Sequence, residues 1–120
     1  MQNQYFFYRT EGSLKQIDLD EVIYLEATDN YTKFYTSKDA HFMVRVTLEN
    51  CMNLLPKNTF LRIHRSFAIA GQYAVIIKRD TALLSAIKKE LPVSKQYYSS
   101  LLKQIVVLQN RATKRRKPEY

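Results

Sequence analysis

Few residues of this 120-residue chain could do covalent or metal chemistry. His41 and His64 stand 23 residues apart, and neither has a cysteine or carboxylate at metal-ligand spacing. Ser66 follows His64 by two residues, but proximity along an extended strand does not by itself make a nucleophile–base pair. With two glycines, Gly12 and Gly71, the chain has no Gly-rich loop to cradle a phosphate. Asp18, Asp20 and Glu21 read as a solvated loop ahead of a strand rather than an acid cluster. Cys51 is the one cysteine, so no internal disulfide can form. Its neighbours Leu48, Met52, Leu54 and Leu55 mark it as a small buried hydrophobe. The reading is of a non-enzyme that needs no cofactor and no metal.

What remains is charge, and it is unevenly spread. Residues 1–50 carry a net charge of −3, residues 51–120 a net charge of +11. Part of that excess lies at Arg111, Lys114, Arg115, Arg116 and Lys117, yet residues 51–108 alone hold +7. So lopsided a distribution fits a polyanionic partner, usually nucleic acid. The longest apolar stretches, such as Val22 to Leu25 and Ala74 to Ile77, fall far short of the roughly 20 residues that span a bilayer. Tyr5-Phe6-Phe7-Tyr8 is too short for a signal peptide, so a cytoplasmic protein is expected, with no membrane partner.

The elements that must position these residues follow from periodicity. Segments near 4–9, 14–17, 22–26, 31–36, 41–46, 74–79 and 82–87 alternate with period two and are rich in β-branched and aromatic residues, so they read as strands. Glu11-Gly12 is a hairpin turn between the first two; Ser37-Lys38-Asp39 and Arg79-Asp80-Thr81 are turns between later pairs. Two stretches switch to helical spacing. Thr47 caps a short helix with Leu48, Cys51, Met52 and Leu55 on one face, which Pro56 ends. Ser94 caps a second, running through Tyr97, Tyr98, Leu101, Leu102 and Ile105. The expected fold is mainly β, short antiparallel sheets with two short helices, in one domain over 1–108. Residues 109–120 read as a basic, disordered tail.

Three segments place polar or basic residues between hydrophobic elements: Ile23-Tyr24-Leu25-Glu26-Ala27-Thr28-Asp29-Asn30-Tyr31-Thr32-Lys33, then Phe60-Leu61-Arg62-Ile63-His64-Arg65-Ser66-Phe67, then Leu91-Pro92-Val93-Ser94-Lys95-Gln96-Tyr97. In this order and spacing the chain resembles the LytTR DNA-binding domain over about residues 4–106. One departure is Ile69-Ala70, where many members of that family have a hydrophobic–Asn pair. The resemblance implies an elongated arrangement of short sheets whose loops, rather than a recognition helix, enter successive major grooves. It implies base-reading roles near Thr32, on Arg65 and on Lys95, with Asn30, Lys33, His64 and Gln96 beside them. The chain has no long amphipathic helix or heptad run for a dimer seam, so a monomer in solution is expected, and the resemblance implies pairing on direct repeats of promoter DNA. Such a domain serves as the output of a response regulator, with a receiver domain or histidine kinase as partner in the full-length system, or stands alone as a regulator.

The chemistry of the residues leads to the same place. Arg65 can donate two parallel hydrogen bonds to guanine O6 and N7. Lys95 and Gln96 fall in a first helical turn, whose free amides favour an anion such as phosphate. Lys33 suits either a phosphate or a base edge, and His64 suits either a DNA contact or packing beside Phe60 and Phe67. Two other readings stay open: a single-stranded nucleic-acid binder stacking bases on Tyr5, Tyr8, Tyr31 and Tyr35, or a protein-interaction β module with an exposed sheet edge.

Overall fold

The computed structural model describes residues 4–110. The described chain is elongated, 62 × 30 × 24 Å. A first hairpin pairs β1 (Phe6–Thr10) with β2 (Ser13–Ile17). Its turn residues Glu11 and Gly12 both have positive φ, 50° and 78°. That conformation matches the right-handed twist of the flanking strands. A Cβ on Gly12 would meet nothing within 4 Å, so glycine serves the backbone angle there and not a close approach.

The central sheet has five antiparallel strands in the order β5-β4-β3-β7-β6. These are β3 (Tyr24–Thr28), β4 (Tyr31–Tyr35), β5 (His41–Val44), β6 (Phe60–His64) and β7 (Phe67–Ala70). Helix α1 (Leu48–Leu54) connects β5 to β6. A third sheet holds β8 (Ala74–Ile77), β9 (Thr81–Leu84) and β10 (Lys89–Pro92), and α2 (Lys95–Leu102) follows. The mainly β fold with two short helices is the one the alternation predicts. The strand expected at 82–87 stops at Leu84, where Ser85 to Lys88 turn the chain back into β10. Periodicity missed β6 and β7, whose buried runs at Phe60–Leu61 and Ala68–Ala70 interrupt the apolar–polar alternation.

Each face of the central sheet has its own core. On one, Tyr24, Leu61, Ile63 and Ile69 pack against Ala82, Leu84 and Leu91 of the third sheet and Leu101 of α2. On the other, Leu25, Phe34, Phe60 and Ala68 pack against Leu48 and Cys51 of α1, with Ile17 and Leu19 at the margin. Full burial of a Leu or Phe side chain in such a core contributes about 1.5–3 kcal/mol. Both helices begin as predicted: the Thr47 hydroxyl accepts from the Asn50 amide at 3.2 Å, and the Ser94 hydroxyl from the Tyr97 amide at 3.2 Å. Cys51 is buried, and desolvation pushes its thiol pKa up, which suits a packing residue. The basic tail expected at 109–120 falls, from Arg111 on, outside the described residues.

Candidate nucleic-acid interface

The first polar segment becomes the β3–β4 hairpin. Its turn is Asp29-Asn30, with Asp29 at φ 50°, a left-handed conformation that Asp tolerates better than most residues. Asn30 is exposed at the tip, and Lys33, half-buried, stands opposite Glu26 across the β3–β4 pair.

Thr32 corrects the sequence reading. It is 0% exposed, and its hydroxyl donates to the Val46 carbonyl at 2.8 Å. Period two puts it on the same face as Phe34, toward α1. A side chain so enclosed holds the chain after β5 and is not offered to DNA.

The second segment forms the tight β6–β7 turn, where pairing shifts register between Arg62 and His64. Arg62 Nε donates to the His64 carbonyl at 2.9 Å and Nη2 to the Arg65 carbonyl at 2.7 Å. The Ser66 amide donates to His64 Nδ1 at 3.0 Å, so the neutral ring carries its proton on Nε2. The His64 ring also meets Phe67, centroids 5.7 Å apart, so packing and availability coexist in this residue. The Arg65 side chain projects from this braced turn and is exposed.

Two long-range backbone bonds join the three segments. Ser66 O accepts from the Ala27 amide at 2.9 Å, setting the β6–β7 turn beside the end of β3. Ile63 O accepts from the Ser94 amide at 2.9 Å, docking the start of α2 on edge strand β6. The β6–β7 turn thus lies beside the end of β3, and the start of α2 beside β6. On these segments Asn30, Arg65, Lys95 and Gln96 are exposed, His64 and Lys33 are half-buried, and Thr32 is buried. Lys95 and Gln96 are exposed on the first turn of α2. The accessible side chains of the three segments are basic or amide groups rich in donors, the composition that suits phosphates and acceptor-bearing base edges.

Sequence reasoning missed Arg62 and Tyr97. The Arg62 guanidinium lies over the Tyr97 ring, 5.1 Å from its centroid, tying the turn to α2. The available signal was a lone arginine between Leu61 and Ile63, both buried: such a residue must bring its own partners.

At the end of the β3–β4 pair away from the turn, Tyr24 and Tyr35 stack at 4.3 Å. Lys89 Nζ donates to the Tyr24 hydroxyl at 3.2 Å, and the Tyr35 hydroxyl donates to Glu26 Oε1 at 3.1 Å. Burial first, and then the Glu26 carboxylate, push the Tyr35 phenol up to about 12. Tyr8 stacks on Phe42 at 4.6 Å, so of the four tyrosines considered as base platforms two are engaged internally. Among the described residues, no three His, Cys, Asp or Glu side chains cluster as metal ligands. No helix there is long and apolar enough to cross a membrane.

The LytTr DNA-binding domain family matches residues 12–106. The chain belongs to that family. Among solved structures, the LytTR domain is similar to the LytTr DNA-binding domain of a Bacillus cereus protein described as a methyl-accepting/DNA response regulator. The two are 28% identical with a TM-score of 0.66, over 86% of this chain and 97% of that one. No curated protein sequence matches. Family and fold thus agree with the resemblance carried by the three segments, and all three lie within the matched span of the LytTR domain.

Proposed function

We propose that this domain reads double-stranded promoter DNA by sequence, its turns entering successive major grooves. The observation that supports the reading is that the Ser66–Ala27 and Ser94–Ile63 backbone bonds join the three segments on which the exposed Asn30, Arg65, Lys95 and Gln96 lie. In this reading Arg65 takes guanine O6 and N7 as a fork, and the Asn30 and Gln96 amides suit adenine. His64 offers Nε2–H to an acceptor, Lys95 meets a base edge at the start of α2, and Lys33 holds a phosphate or a base edge. The described chain is 62 Å long, more than the roughly 34 Å between successive major grooves on one face of a duplex. The domain acts as the output of a response regulator, the role named for its structural relative, or as a stand-alone regulator. It is monomeric in solution and pairs on direct repeats.

Selection of bound sequences from a random duplex pool, followed by titration at increasing salt, tests this. With about six phosphates neutralised, log affinity against log salt has a slope of roughly −5. A flat salt response, or a pool that never enriches, would refute DNA reading. Tighter binding of the same oligonucleotide as a single strand would favour the stacking alternative.

A further inference from the structure

We infer that Arg62 is a positioning residue for base discrimination: it holds the His64–Arg65 backbone against the first turn of α2 and touches no DNA itself. The inference rests on the DNA-reading function proposed above. Arg62 is half-buried on β6 at the point where the pairing register shifts, a place where the sheet ladder alone does not set the path of the turn. Its fork answers two successive carbonyls of that turn, His64 at 2.9 Å and Arg65 at 2.7 Å. The face of the same guanidinium rests on Tyr97, 5.1 Å from the ring centroid. One side chain therefore links the residue expected to fork a guanine, Arg65, with the helix that presents Lys95.

The chemistry is specific to arginine. A planar guanidinium can donate to two carbonyls and stack on a ring at once; a lysine ammonium keeps the charge but not the fork. Bidentate base contact is an angular requirement, so the carbonyls that set where the Arg65 side chain begins must be fixed before DNA arrives. Because Arg62 turns two of its donors inward, its loss should relax sequence choice without removing a phosphate contact.

The test uses the full chain, a duplex enriched by selection, and a random duplex of equal length. Arg62→Lys should lower the ratio of specific to random affinity about tenfold, toward the lower end of what one bidentate contact supplies. Random-duplex affinity should stay within about twofold and the salt slope should not change, since the charge is kept and no phosphate is released. An unchanged ratio overturns the inference. So does an equal fall in both affinities for Arg62→Ala with a slope shallower by about one, which marks a phosphate clamp. Should the Arg62 variants fail to fold, Tyr97 decides: Tyr97→Leu should lower the ratio about threefold by removing the ring, and Tyr97→Phe should leave it unchanged. No loss in Tyr97→Leu then counts against Arg62 as a link to α2. A wild-type chain with no sequence preference refutes the DNA-reading function and takes this inference with it; a wild-type preference that Arg62→Lys preserves refutes the inference alone.

Discussion

The two faces of the five-stranded sheet are built from similar strands and covered differently. One is covered by α1 and is apolar apart from Thr32, whose hydroxyl is consumed by the Val46 carbonyl. The other is covered by the third sheet and α2, and along it Lys89 and Glu26 hydrogen-bond Tyr24 and Tyr35, while Arg62 reaches the Tyr97 ring of α2 from edge strand β6. Apolar contact is non-directional and serves to hold the sheet together. Hydrogen-bonded groups fix angles, which reading a base edge demands. Stability can therefore be lost from either face, but sequence choice should be lost from only one.

The largest effect expected is on stability. Leu101→Ala, at a 0% exposed site on α2, should cost about 2–5 kcal/mol, and Phe34→Ala, on the opposite face, about 3–5 kcal/mol. Urea unfolding measures both. At a temperature where each variant stays folded, Leu101→Ala should also lower the specific-to-random ratio, because α2 carries Lys95; Phe34→Ala should not. If both lower the ratio equally, the two faces are not separable.

Next in size is Arg65→Ala, which should cost on the order of 1–3 kcal/mol on the preferred duplex and much less on random DNA. Equal losses on both would make Arg65 a phosphate contact and move the reading elsewhere on the three segments.

Thr32→Val sharpens the comparison from the apolar side. It removes the donor from the half-buried Val46 carbonyl and should destabilise the fold by about 1 kcal/mol, with no change in sequence preference. A relaxed preference without loss of stability would return Thr32 to the DNA surface.

The smallest effect is a pH dependence. The Tyr35 phenol is raised from 10.0 to about 12 in the fold, so in alkaline solution the unfolded chain loses that proton first. Its stabilising contribution is complete below pH 10 and is lost as pH rises through about 12. Tyr35→Phe should flatten this part of the stability–pH curve relative to wild type. Identical curves would mean that the fold holds the Tyr35 proton no more tightly than the unfolded chain does.

Much of the molecule could be read from local chemistry. Thr47 and Ser94 cap helices because a hydroxyl three residues ahead of a free amide can reach it wherever the rest of the chain goes. Glu11-Gly12 makes a hairpin because a two-residue turn needs positive φ and glycine supplies it freely. The three polar segments were visible in order and spacing, and they carried the resemblance to the family whose span is 12–106. Tertiary structure alone decided which side chains those segments expose. Thr32 and Lys33 are neighbours in a polar-looking stretch, yet the sheet face packed on α1 takes Thr32 inward and leaves Lys33 half-buried on the other side. Arg62 sits in a motif where Arg65 is the more conspicuous cation, and only the register shift and the docking of α2 give its fork two carbonyls and a ring. Caps and turns are satisfied within a few residues, so sequence specifies them; the face of a strand and the partner of a fork depend on chain dozens of residues away, so packing must choose them.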